Sequence, residues 1–151
     1  MANRDKGILI KPNKEKSFEC YVDADFCGNW DPTRALEDPD TARSHHGFII
    51  KYAGVPIYWM SKLQTQFSVS TAESEYIGLS KAALYIKGTM YLLEEIKAKY
   101  DDGVYTIPRI HCKVFEDNSA ALEMARVPKM RLRTRHLNIA LHHFRGEVAS
   151  K

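Results

Sequence analysis

The hydrophobic pattern of this chain changes character once, and the change falls at Ser70. Before it come short β-rich runs. After it, apolar residues recur at Ala72, Tyr76, Leu79, Ala83, Ile86, Met90, Leu93 and Ile96, and steps of three and four line up one buried stripe on a helix. Ser70-Thr71-Ala72-Glu73 is a capping-box pattern, a hydroxyl at the N-cap and a glutamate three residues on, so the helix begins there. Strands followed by a long one-faced helix require a sheet for that helix to cover.

Ser17 to Phe26 alternates, with Phe18, Cys20 and Val22 on one face and Glu19, Tyr21, Asp23 and Asp25 on the other, which predicts a strand. Residues 27 to 45 hold Gly28, Asn29, Pro32 and Pro39 and read as an exposed loop. Residues 46–54 and 55–62 are β-rich runs split by Ala53-Gly54, a hairpin signal, and Gln66 to Ser70 is a third such run. Gly88 is a place where the long helix would kink or divide, and Asp101-Asp102-Gly103 ends that segment. Ile110 to Phe115 reads as a buried strand of the parallel kind. Glu116-Asp117 closes it, Asn118-Ser119 can cap a short helix over SAALEMAR, and Pro128 stops that helix. A basic loop follows, then a last helix with Leu137, Leu141, Phe144 and Val148 on its apolar face. The expected architecture is α/β: a mixed sheet, antiparallel first and then crossed over, with helices packed on it. Residues 1–16 read as a lead-in and 17–151 as a single domain, a size that 151 residues suits.

No apolar run approaches the ~18 residues of a membrane span, and the polar, basic N-terminus does not read as a secretory signal. Cys20, Cys27 and Cys112 show no metal-binding spacing, and Cys20 and Cys112 fit as small core residues of a reduced, cytosolic chain. The net charge of +3 hides a division. From Arg126 onward there are seven basic residues against one acid, while the first 125 residues hold 15 basic and 18 acidic ones. An acidic body with a basic end suits a metal site beside an anionic ligand.

Three acids stand where such a site could form. Asp23 lies on the first strand, Asp117 at a strand-to-helix turn, and Glu75 in the first turns of the long helix. Ligands of open α/β sheets gather at the carboxyl ends of strands. Converging carboxylates repel unless cations lie between them. Mg²⁺ prefers oxygen ligands, and two such ions ~4 Å apart can activate a water and stabilise the leaving oxygen of a phosphodiester. Glu73 is best explained by the capping box, which leaves Glu75 as the better ligand candidate; Asp25 shares Asp23's face as a further acid beside the site or a solvated one.

YVDADFCGNW, Arg43-Ser44 with Gly47-Phe48, PIYWMSKLQ, STAESEYIGLS, EDNSAALEMA and RTRHLNIALHHFR resemble, in order and spacing, the ribonuclease H domain of copia-type LTR retrotransposons. That domain follows the reverse transcriptase in the Pol polyprotein. The resemblance spans about residues 5 to 148. It implies an RNase H-like fold, a mixed five-stranded β-sheet flanked by α-helices, with Gln66–Ser70 the remaining strand candidate. It implies a metal-dependent endoribonuclease that cuts the RNA strand of an RNA–DNA hybrid with two Mg²⁺, Mn²⁺ substituting, and leaves 3′-hydroxyl and 5′-phosphate ends. It implies a reverse transcriptase domain as partner and a place in cytoplasmic virus-like particles. Its metal ligands and catalytic residues fall on Asp23, Glu75 and Asp117. The fourth ligand position, an aspartate in the family's R-T-K-H-I-D-I motif, is Asn138 here. An amide oxygen can coordinate Mg²⁺ but brings no charge. Three accounts stand: a natural variant in an active enzyme, an engineered change that slows cleavage, or a degenerate domain that binds hybrid without cutting it.

Arg126 to Arg135 carries five basic residues and no acid. Beside a phosphodiester site, Arg131, Arg133 and Arg135 suit backbone phosphates, setting affinity and salt dependence rather than sequence preference. His136 stands ready to contact substrate near the site. Arg43 and Ser44 are candidates for a phosphate or the RNA 2′-hydroxyls, and Asn118 and Ser119 for the same task. His142 is a possible auxiliary acting through a water, with a solvated face the plainer reading for it and for His143; His45, His46 and His111 carry no such role. Trp30, Trp59 and Tyr58 are candidates to stack on sugars, with core packing the plainer reading for Trp59, which lies within a β-rich run. An integrase-like strand transferase on the same fold is disfavoured by the STAESEY helix and by a last helix offering only Asn138 and Glu147.

Overall fold

A computed structural model describes residues 7, 9–13, 15–34, 36–100, 110–126 and 143–148. Strand β1 (Phe18–Ala24) alternates as its sequence requires, burying Phe18, Cys20, Val22 and Ala24 and exposing Tyr21 and Asp23. Strands β2 (His45–Tyr52) and β3 (Val55–Leu63) form the expected hairpin. Ala53 and Gly54 take φ of 51° and 77°, the left-handed pair that a two-residue turn between twisted strands needs. Asn13, ahead of β1, donates its N–H to Ala53 O at 2.8 Å and ties the lead-in to this hairpin.

Helix α1 (Thr71–Tyr100) covers the buried face of β1 and β2, then β4 (Cys112–Phe115) joins β1 in parallel and leads into α2 (Ser119–Arg126). The sheet order is β3-β2-β1-β4, with β1–β2 and β2–β3 antiparallel. The core lies between sheet and helices: Phe18, Cys20, Val22, Phe48 and Ile50 meet Tyr76, Ile77, Leu79, Ala82 and Ile86, with Ala121, Ala125 and Phe144 closing one side.

Several expectations need correction. Gln66–Ser70 is not a strand, so the sheet has four strands among the described residues, not five. Its polar groups are committed to starting α1. Ser70 Oγ accepts the Glu73 N–H at 3.2 Å, Glu73 accepts the Val69 N–H at 2.9 Å, and Ser68 Oγ bonds Ser44 Oγ at 2.8 Å. Helix α1 passes Gly88 unbroken, since an exposed glycine with open space around it costs propensity without removing a hydrogen bond. β4 starts at Cys112, not Ile110, and as a sheet edge among the described residues it leaves Val114 and Phe115 about 40% exposed. Trp59 is 70% exposed on the other edge strand, β3, and not in the core. Of the expected last helix, the described part is a 3-10 turn at Arg145–Glu147, although Phe144 is buried against Tyr76 as its apolar pattern requires. The helix stops at Asp101–Gly103 and Pro128 and the basic loop lie outside the described residues.

Candidate metal centre

The register of the sheet brings two of the acids together. Tyr21 pairs with Phe115 across the parallel β1–β4 ladder. Two residues farther along each chain stand Asp23 and Asp117, with the same parity, at the carboxyl end of adjacent strands. Both are exposed. Glu75 comes from the second turn of α1, laid against β1. Ligand oxygens of Asp23, Glu75 and Asp117 all lie within 4.8 Å of one another.

Residues 73 to 80 of α1 are all buried, so each polar side chain there needs a partner. Glu73 has its capping bond. Ser74 donates to Thr71 O at 2.8 Å, and Ser80 Oγ lies 3.4 Å from His143 Nε2. Glu75 differs. It is 4% exposed, it accepts the Ala24 backbone N–H, and its Oε2 is buried with no hydrogen-bond partner. Burial above all, then Glu116, Asp23 and Asp117, pushes its carboxyl up to about 8.

The donor set fits a hard divalent cation. Cis and trans ligands on an octahedral ion with Mg–O of 2.0–2.1 Å lie roughly 3 and 4 Å apart, within a small side-chain adjustment of the 4.8 Å spread. The set offers three carboxylates, and the buried one, Glu75, has an orphaned oxygen.

Asn118 caps α2, its Oδ1 accepting the N–H groups of Ala120 and Ala121 at 3.0 and 3.1 Å, so its NH₂ and the exposed Ser119 are what this turn presents beside Asp117. Arg43 is half-buried, paired with Asp40 at 3.2 Å and stacked over Phe67. Ser44 is corrected outright as a substrate contact: it is fully buried, accepting the Cys27 N–H at 3.2 Å and bonded to Ser68. Asp25 stays out of the acid group and accepts the His45 N–H across the β1–β2 loop. Arg131, Arg133, Arg135, His136, Asn138 and His142 lie outside the described residues. His143, one residue on, reaches Ser80, and Arg145 Nε donates to the buried Tyr76 hydroxyl at 2.9 Å, docking this end of the chain one residue from Glu75.

The acid that sequence reasoning passed over is Glu116. It shares its parity with Cys112 and Val114, which stand beside Phe18 and Cys20 on the helix-facing side of the sheet. Burial pushes its carboxyl up, and Asp117 and Asp23 add to that. The strand alternation through CKVFE was the available signal.

The chain matches no family model and no solved structure. It is 28% identical over 146 residues to the retrovirus-related Pol polyprotein from transposon RE2 of Arabidopsis thaliana, covering 97% of this chain and 9% of that protein. It is 28% identical over 144 residues to the one from transposon RE1 of Arabidopsis thaliana, covering 95% and 9%. It is 27% identical over 128 residues to the one from transposon TNT 1-94 of Nicotiana tabacum, covering 85% and 8%. The chain therefore spans less than a tenth of the curated relatives it matches, and it is similar to one stretch of retroelement Pol polyproteins.

Proposed function

We propose that this chain is the ribonuclease H part of a retrotransposon Pol polyprotein, a metal-dependent endoribonuclease for the RNA strand of RNA–DNA hybrids. The observation that carries the proposal is the convergence of Asp23, Glu75 and Asp117 within 4.8 Å, with a buried, orphaned oxygen on Glu75. The similarity to Pol polyproteins supports it, as does a mixed sheet whose central strand bears Asp23.

In this reading the exposed Asp23 and Asp117 and the buried Glu75 would together hold the ions. Mg²⁺ bound there supplies Lewis-acid stabilisation of the phosphodiester and lowers the pKa of the attacking water. The Asn118 NH₂ and the Ser119 hydroxyl, beside Asp117, meet the 2′-hydroxyls that mark the RNA strand. The basic run from Arg126 to Arg135, with Arg131, Arg133 and Arg135, holds backbone phosphates, and His136 reaches substrate at its end. Asn138 fills the fourth ligand position without charge, with His142 an auxiliary. The reverse transcriptase of the same polyprotein is the partner, in the particles where the element copies itself.

A cleavage panel of RNA–DNA hybrid, duplex DNA and duplex RNA tests the proposal. Hybrid cleavage that needs Mg²⁺ or Mn²⁺ and stops with Asp117→Asn is expected, and undiminished cleavage in EDTA would overturn it. Asn138 favours one other reading, a module that binds hybrid without cutting it; tight binding with no cleavage even at high Mn²⁺ would select that reading.

A further inference from the structure

Glu116 and Asp117 are consecutive, yet they reach the acid cluster with opposite parity. Asp117 continues the exposed face of β4 with Phe115, while Glu116 continues the helix-facing side with Cys112 and Val114. The strand-to-helix turn pins Glu116: the Asn118 N–H donates to its Oε1 at 3.2 Å, and Asn118 in turn caps α2. Its Oε2 is buried with no hydrogen-bond partner, and so is Oε2 of Glu75. The two carboxyl groups lie within hydrogen-bonding reach of each other, and among the acids facing Glu75 it is Glu116 that bears on it most strongly.

Ionised, both oxygens are acceptor-only, and no N–H of the described residues is turned toward either of them. Buried acceptors are ordinarily satisfied, and burying charges without partners is costly. A purely structural role would be met better by glutamine, whose amide oxygen would keep the Asn118 bond and whose NH₂ would satisfy Glu75. An acid here makes sense where positive charge comes from outside the chain. We propose that Glu116 is a positioning carboxylate of the cation site, acting through Glu75 to hold that side chain in place and to add a fourth negative charge behind the three ligands. This rests on the cation-site reading above.

The test uses the full chain, with Mn²⁺ titrated calorimetrically and melting followed in EDTA. Glu116→Gln should bind Mn²⁺ at least about ten-fold more weakly, the scale of losses when a group supporting a metal ligand is changed. It should also melt no lower than the parent in EDTA, because the glutamine keeps the Asn118 bond and its NH₂ can donate to Glu75. Glu116→Asp, which keeps the charge, should recover most of the Mn²⁺ affinity. If Glu116→Gln binds Mn²⁺ as the parent does while Asp117→Asn loses binding, the role of Glu116 is refuted and the metal centre stands. A Glu116→Gln protein that melts lower in EDTA, or fails to fold, refutes it in favour of a structural role. If the parent binds no Mn²⁺ at all, the cation-site reading itself falls and takes this inference with it.

Discussion

Replacing Glu75 by glutamine should stabilise the metal-free protein at pH 8 and leave it nearly unchanged at pH 5. Glu75 titrates near 8 in the folded chain against an ordinary 4.5. Its folded pKa is raised, so its contribution is intact below about 4.5 and is lost as pH climbs through that window toward about 8. Three and a half units at 1.36 kcal/mol each set a ceiling of about 5 kcal/mol. Asp23 and Asp117 open to solvent and soften the repulsion, so roughly 2–3 kcal/mol is the working figure, or some 5–10 °C in Tm for a chain of this length. The assay is a melting series in EDTA from pH 5 to pH 8 on the parent and Glu75→Gln. The parent should lose stability relative to the variant across that range. Mg²⁺ at pH 8 should then raise the parent more than the variant, because a cation favours the charged form that burial penalises. Parallel curves for the two proteins in EDTA would refute the reasoning, since every other titrating group is common to both.

Asp117→Asn should lower hybrid cleavage by 100-fold or more at any pH, as loss of an ion-holding charge does, measured by gel assay under single-turnover conditions. Asn138→Asp should change cleavage at saturating Mg²⁺ by less than about three-fold if Glu116 already supplies the fourth charge, measured beside the parent in the same assay. Tyr76→Phe should cost about 1–2 kcal/mol in denaturant melts, because it strips the buried partner from the Arg145 guanidinium. Ser70→Ala should cost about 1 kcal/mol in the same melts by removing the side-chain acceptor of the Glu73 N–H.

The convergence of Asp23, Glu75 and Asp117 was legible because each position was fixed by a local rule. Alternation put Asp23 opposite the Phe18, Cys20 and Val22 face, the capping box absorbed Glu73 and left Glu75, and a strand-to-helix turn held Asp117. The errors fall where tertiary partners decide. Gln66–Ser70 has strand composition, but Glu73 and Ser44 claim its polar groups, and no propensity scale sees a partner 24 residues away. Ser44 looked available beside Arg43 for the same reason, until Cys27 and Ser68 enclosed it. Trp59 and the Val114–Phe115 pair were placed in the core because β-rich runs do not say which strands will be edges. Glu116 was the informative omission. Two adjacent acids at the end of a strand invite the choice of one, yet a pleat sends consecutive side chains to opposite faces, so a helix packed on one face meets the first while solvent meets the second. Four of the 18 acids in the first 125 residues meet at one end of the sheet, and the described residues place no basic side chain among them. On the proposed function, that local excess, rather than the net charge, is what a divalent ion would neutralise.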